Sequence, residues 1–236
     1  MRKSLLVLLL PILCCSAEKK QALTGNFDLG INFTKNIDNT LQLNNVFFIK
    51  YRVNNIYWIT ARNNINLISK TGNEDLLNKG TQELKYSLVD KGWDLGVNLE
   101  HHYDISRNIK NRYSTGLGFA YNFSKIKEEK LAAGFSLNRE KEVNIEEVST
   151  VQNRFNTDLH VVKKITDKVN IHLSNSYAPN PENFGDFRWR SNMEVKIKIN
   201  MQFSLSINAT YNYDSDPSPY IPKSDYDIIH KISYNF

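Results

Sequence analysis

The sequence predicts an all-β fold, a single antiparallel transmembrane β-barrel of about twelve strands, even in number, with both termini on the periplasmic side. Three observations predict it. Runs of strict apolar–polar alternation fill the chain from residue 23 to its last residue. The joins between runs alternate short and long. The polar face of the runs carries many charges of both signs, while aromatics gather at the run ends.

Before the runs comes "MRKSLLVLLLPILCCSA", with Arg2 and Lys3 ahead of an apolar stretch and small residues behind it. This is the pattern of a secretory signal peptide, too short to span a bilayer as a helix. Residues 1–17 are expected to be removed, leaving a barrel domain over 18–236. A lipidated Cys15 is the alternative. Removal takes both cysteines, so no disulfide framework remains. The formal charge of +5 falls by the two charges of Arg2 and Lys3. No Lys/Arg cluster stands out, which argues against nucleic acid as a partner.

The first run, 23–35, places Leu23, Phe27, Leu29, Ile31 and Phe33 on one face against Asn26, Asp28 and Asn32. Runs follow at 39–53, 56–69 and 81–89; in the third both faces are mixed. The fifth, 92–104, sets Trp93, Leu95, Val97, Leu99 and Tyr103 on one side. The sixth, 110–123, sets Tyr113, Leu117, Phe119, Tyr121 and Phe123 against Ser114, Gly116, Gly118 and Asn122. Then come 129–141, 148–165 and 169–178. The tenth and eleventh, 184–199 and 203–213, alternate Val195 and Ile197 with Lys196 and Lys198, then Phe203, Leu205 and Ile207 with serine and asparagine. The last, 223–236, ends with Ile232, Tyr234 and Phe236 on one face. No stretch after residue 17 is long and apolar enough for a transmembrane helix.

Joins at 54–55, 90–92, 124–129, 166–168 and 200–202 read as tight turns. Those at 71–81, 178–185 and 214–223 read as long loops. A membrane barrel has short periplasmic turns and longer outer loops; a sandwich has no reason to alternate in this way. Opposite the apolar stripe lie Asp28, Glu100, His102, Arg112, Arg154, Asp158, Arg188, Arg190, Glu194, Lys196, Lys198, Asp227 and Lys231. In a sandwich these would form a solvated outer face. In a barrel they meet across a lumen, and their mixed signs allow pairing. Aromatics at strand ends suit the girdles that flank a bilayer core.

Chemistry is sparse. The five histidines lack metal-ligand spacing. Glu100, His102 and Arg112 could bring a carboxylate beside an imidazole, yet no nucleophile joins them, and a luminal ion-pair network accounts for them better. Asp214, Asp216, Asp225 and Asp227 lack the spacing and turn glycine of a calcium loop. No cofactor site is expected, and no catalytic residue is assigned.

"RNIKNRYSTGLGFAYNF", the later "NYDSDPSPYIPKSDYDIIHKISYNF" and Gly25-Asn26 in the first run resemble the salt-induced outer-membrane protein family, a domain of unknown function numbered 481. The likeness covers most of residues 23–236. It implies an outer-membrane barrel of a Gram-negative bacterium, with lipid, periplasmic chaperones and the barrel assembly machinery as partners. It makes Tyr234 and Phe236 an assembly signal. It also implies a non-enzymatic role in envelope integrity or salt and osmotic stress. The alternative is a small passive channel, with long luminal Arg, Lys and Glu side chains narrowing the bore. An outer-membrane hydrolase or acyltransferase is the third reading.

Overall fold

The computed structural model describes residues 23–35, 39–70, 77–124, 126 and 129–236. The leader expected over 1–17 lies outside them, as does the join at 71–76. The strands are β1 (Leu23–Lys35), β2 (Asn39–Arg52), β3 (Tyr57–Lys70), β4 (Leu77–Asp90), β5 (Trp93–Asp104) and β6 (Ile109–Asn122). They continue as β7 (Lys130–Asn144), β8 (Ser149–Lys164), β9 (Val169–Asn180), β10 (Asn183–Lys198), β11 (Phe203–Asp214) and β12 (Ser224–Asn235). Each pairs antiparallel with its sequence neighbours, and β1 closes on β12, giving a twelve-stranded closed barrel. The predicted fold class is found, with most run boundaries within a residue or two.

The barrel is inside-out relative to a globular domain. Among its most exposed wall residues are Leu117 (66%), Leu95 (57%) and Leu137 (56%), whereas Asn44, Asn138, Ser204 and Ser233 are buried. Successive side chains of a strand point to opposite faces, so one alternation fixes both surfaces: an apolar exterior suited to lipid and a polar lumen. In β3 the mixed faces resolve through register. Tyr57, Ile59, Asn63 and Ile65 share the outward side of Leu88, Tyr86 and Gln82 on β4, which turns Trp58 and Arg62 inward.

One rim, here the near rim, carries Leu23, Phe236, the turns 53–56, 91–92, 165–168 and 199–202, and the end of β6 with the start of β7. Three of these turns share one device. The side-chain oxygen of Asn54, Thr166 or Asn200 accepts from the backbone N–H groups two and three residues ahead, at 2.7–3.2 Å. Short polar side chains that bond their own backbone specify tight turns in this way. At 91–92 both residues have positive φ, Lys91 at 45° and Gly92 at 93°, the two-residue hairpin geometry that matches strand twist. The barrel seam is closed by Gly25 and Phe236, which exchange backbone hydrogen bonds of 3.0 Å. The Phe236 ring lies over Gly25 so closely that a Cβ there would sit 2.6 Å from it.

The expected long joins shorten at the opposite, far rim. β4 begins at Leu77, not 81, because Asn78 and Gly80 pair with Leu67 and Ile65. The "APNPENFG" join is a two-residue turn at 181–182, with Pro179 buried inside β9 and the Asn180 side chain accepting from Glu182 N at 2.9 Å. Proline and asparagine signal a loop, but here pairing reaches the rim through a register shift between Asn183 and Phe187. Of the long joins among the described residues, 215–223 persists.

Candidate functional site

Every charged side chain assigned to the polar face by alternation points into the lumen, on strands spread around the barrel. The far half of the lumen is a lattice of ion pairs. Arg188 on β10 donates to Glu140 on β7 at 2.8 Å and to Glu142 at 3.3 Å, and lies 3.4 Å from Asp214 on β11. Arg112 on β6 holds Glu142 from the other side, at 2.6 and 2.7 Å. β7 and β10 are separated by two strands, so the Glu140–Arg188 pair reaches across the lumen.

Arg154 on β8 is 2% exposed. Its guanidinium grips both carboxylate oxygens of Asp186 at 2.7 and 2.9 Å, donates to the Asp186 carbonyl at 2.9 Å, and reaches the Ala178 carbonyl and Gln152. Both carboxylate contacts come from Nη2, and charge-assisted hydrogen bonds of this kind are stronger than neutral ones. Lys79 on β4 pairs with Asp227 on β12, and Arg107, in the turn after β5, with Asp225 at 2.5 Å. Asp225 also accepts from Asn212 at 2.7 Å, and Asn212 from Arg190 at 2.9 Å. β4 and β12 stand four places apart in the closed order, so their pairing requires the walls to converge at this level.

Of the Glu100–His102–Arg112 cluster, Arg112 enters this lattice, and the three do not form an acid–base pair. The His102 ring bonds Thr81 at 3.0 Å and Arg112 is committed to Glu142. Among the described residues no hydrogen bond joins Glu100 to either. The acidic residues near the last loop hold basic side chains: Asp214 with Arg188, Asp225 with Arg107, Asp227 with Lys79.

The near half differs in chemistry. Lys85 pairs with Asp94 at 2.8 Å, and Asn26 donates to Asp28 at 2.7 Å. Other cations rest on rings and amides. The Lys50 ammonium lies 4.1 Å and the Arg52 guanidinium 4.5 Å from the Trp58 ring, and Arg62 sits 5.3 Å over Phe48. Lys196 donates to Asn235 at 3.3 Å. Around Lys196, Lys198, His172 and Lys168 the near mouth opens into a space of about 600 Å³. Asp158, Lys130 and Lys231 share this half by strand position.

Sequence reasoning missed Glu140, Glu142, Asp186, Lys79 and the inward aromatics Phe48 and Trp58. Glu140 and Glu142 alternate with Arg139 and Lys141, so both faces of that stretch look charged. The available signal was the phase set by Leu131, Phe135 and Leu137, which turns the two glutamates inward. Aromatic pairs do mark both rims on the outside: Trp93–Tyr121, Tyr57–Tyr86 and Phe203–Tyr234 near, Tyr177–Phe187–Tyr213 far.

The family described as "Protein of unknown function, DUF481" matches residues 69–236. No curated protein matches. Among solved structures, the chain resembles the NanC porin at 10% identity, with a TM-score of 0.54 over 91% of this chain and 99% of that one. It resembles an outer membrane channel from Pseudomonas putida F1 at 11% identity, with a TM-score of 0.54 over 91% of this chain and 95% of that one. At these identities the likeness is one of fold: the chain has the fold of an outer-membrane β-barrel.

Proposed function

Because this chain belongs to the DUF481 family, kinship brings it no activity, and we propose a function from the lumen itself. The protein is a non-enzymatic outer-membrane barrel that acts as a narrow passive channel for small solutes, with a preference for anions. One observation carries the reading: ion pairs link strands three and four places apart across a polar lumen in the far half, while in the near half luminal cations outnumber carboxylates and several rest on rings or amides. The first feature sets a narrow bore and the second a positive field at one mouth, which raises the local concentration of anions. The two similar solved structures, a porin and an outer membrane channel, support the same reading.

On this reading residues 1–17 direct export, the barrel assembly machinery inserts the domain at 18–236, and the near rim with its tight turns faces the periplasm. A second reading is a sealed barrel serving envelope integrity under salt or osmotic stress. It is favoured by the same lattice, since side chains that brace non-adjacent strands through the lumen also obstruct the bore. Planar-bilayer recording on refolded protein decides between them. A channel gives small steps with a reversal potential displaced toward that of the anion in a salt gradient. Silence from wild type, with correctly folded protein in the bilayer, overturns the channel and leaves the sealed barrel. Hydrolysis of labelled phospholipid would overturn both.

A further inference from the structure

On the exterior of β7 the wall breaks its own rule. Along the outward face Leu131, Phe135 and Leu137 are followed by Arg139 and Lys141, both exposed. Register places Arg139 beside Thr115 on β6 and Asn153 on β8, and Lys141 beside Tyr113 and Val151, all outward positions. Elsewhere among the described residues, outward cations in the strands are confined to rim positions such as Lys163, which pairs with Glu129. Arg139 donates to the Asn153 amide oxygen at 3.1 Å. Among the described residues neither Arg139 nor Lys141 has a carboxylate partner.

These two cations stand at the end of a polar belt on the same outer surface. Gln82 donates to Asn63 at 3.1 Å, the His101 ring bonds Gln82 at 2.7 Å and Asn111 at 3.0 Å, and the ring stacks on Tyr113 at 4.8 Å. A groove of about 570 Å³ runs between them, with Gln82, His101, Tyr113, Arg139 and Lys141 above and Leu84 and Leu99 below. The intervening Glu83, Glu100 and Ser114 alternate to the luminal face, so no outward carboxylate opposes an anion there. Beneath the belt the wall is apolar through Leu117 and Leu137.

A cation facing lipid is costly at the midplane and nearly free at the interface, so the belt marks where headgroups begin on this side of the barrel. Two unpaired cations over a leucine wall complement an anionic head above acyl chains. We propose that this groove binds a phosphate-bearing lipid of the leaflet at the far rim, with Arg139 and Lys141 on the phosphate and the chains along Leu84, Leu99 and Leu117. The proposal rests on the membrane reading above.

Native mass spectrometry of the refolded full barrel in detergent tests it. The probes are a hexa-acylated disaccharide lipid with two phosphates, the same lipid dephosphorylated, and inorganic phosphate. Wild type should retain the phosphorylated lipid at about tenfold lower concentration than the dephosphorylated one, the scale of a charge-assisted contact. Arg139→Gln with Lys141→Gln should erase that preference; Lys163→Gln should keep it, and Arg139→Lys alone should keep most of it. Equal retention of both lipids by wild type, an unchanged preference in the double variant, or equally strong binding of free phosphate would each overturn it. Heat-modifiable mobility in neutral phosphatidylcholine vesicles is read in parallel. Failure of wild type to insert there sinks the membrane reading, whereas insertion without lipid preference sinks the groove alone.

Discussion

The two halves of the lumen use the same residue types to opposite ends. In the far half arginines meet carboxylates on adjacent strands and on strands two and three places away, and Arg154 and Arg188 each satisfy several acceptors. In the near half, the Lys85–Asp94 pair apart, lysines and arginines lie over Trp58 and Phe48 or bond an amide. The far half is therefore held by mutual obligation, since removing one member strands another. The near half is a set of largely independent cations whose loss costs little structure. A lumen can carry bracing at one level and an electrostatic field at another because luminal positions are freed from packing an apolar core.

The largest expected effect breaks the bracing at its most buried point. Arg154→Ala leaves Asp186 without its charged partner and should destabilise the barrel by about 3–5 kcal/mol, the range for an orphaned buried charge. Urea titration of the folded protein in vesicles reads it, and a loss below 1 kcal/mol would place Arg154 outside the bracing. Next comes a control on which face is which. Leu117→Arg, in the middle of the outer wall, should cost about 2–4 kcal/mol of insertion, while the luminal neighbour Ser114→Ala should refold with nearly wild-type yield. Equal yields would reverse the assignment of inside and outside.

A smaller effect on stability, but a large one on conductance, is expected of Arg188→Ala. It loosens Glu140, Glu142 and Asp214 together at a cost of about 1.5–3 kcal/mol, reduced by the partial solvation of the site. Single-channel steps should grow. Unchanged steps would move the constriction elsewhere. The smallest structural effect sharpens the other half. Lys196→Gln with Lys198→Gln should change stability by no more than about 0.5 kcal/mol, yet shift the reversal potential toward the cation. A destabilisation as large as that of Arg188→Ala would erase the distinction between the halves.

Much of the fold was legible in the residues. The alternation of "MEVKIKINMQFSLSINATYNY" put Val195, Ile197 and Leu205 outside and Lys196 and Ser206 inside, and the strands do the same. Legibility failed where a local signal was weak or doubled. Pro179 and Asn180 carry loop chemistry inside a ladder. In "NREKEV" both faces are charged, so an inward glutamate pair and an outward Arg139 and Lys141 look alike. In β3 the tryptophan and the isoleucines compete for the outer face, and pairing with β2 and β4 settles the matter.

By itself the sequence determined the number of strands, the polarity of the two surfaces and the phase of every strand but the mixed β3, because the side-chain period of a strand is two and is written in adjacent residues. The tertiary structure decided which charges meet. Glu140 and Arg188, or Lys79 and Asp227, become partners when a twelve-strand sheet closes and its walls converge. Register between distant strands, and the reach of two side chains across the lumen, are properties of the closed ring, and no local pattern encodes them.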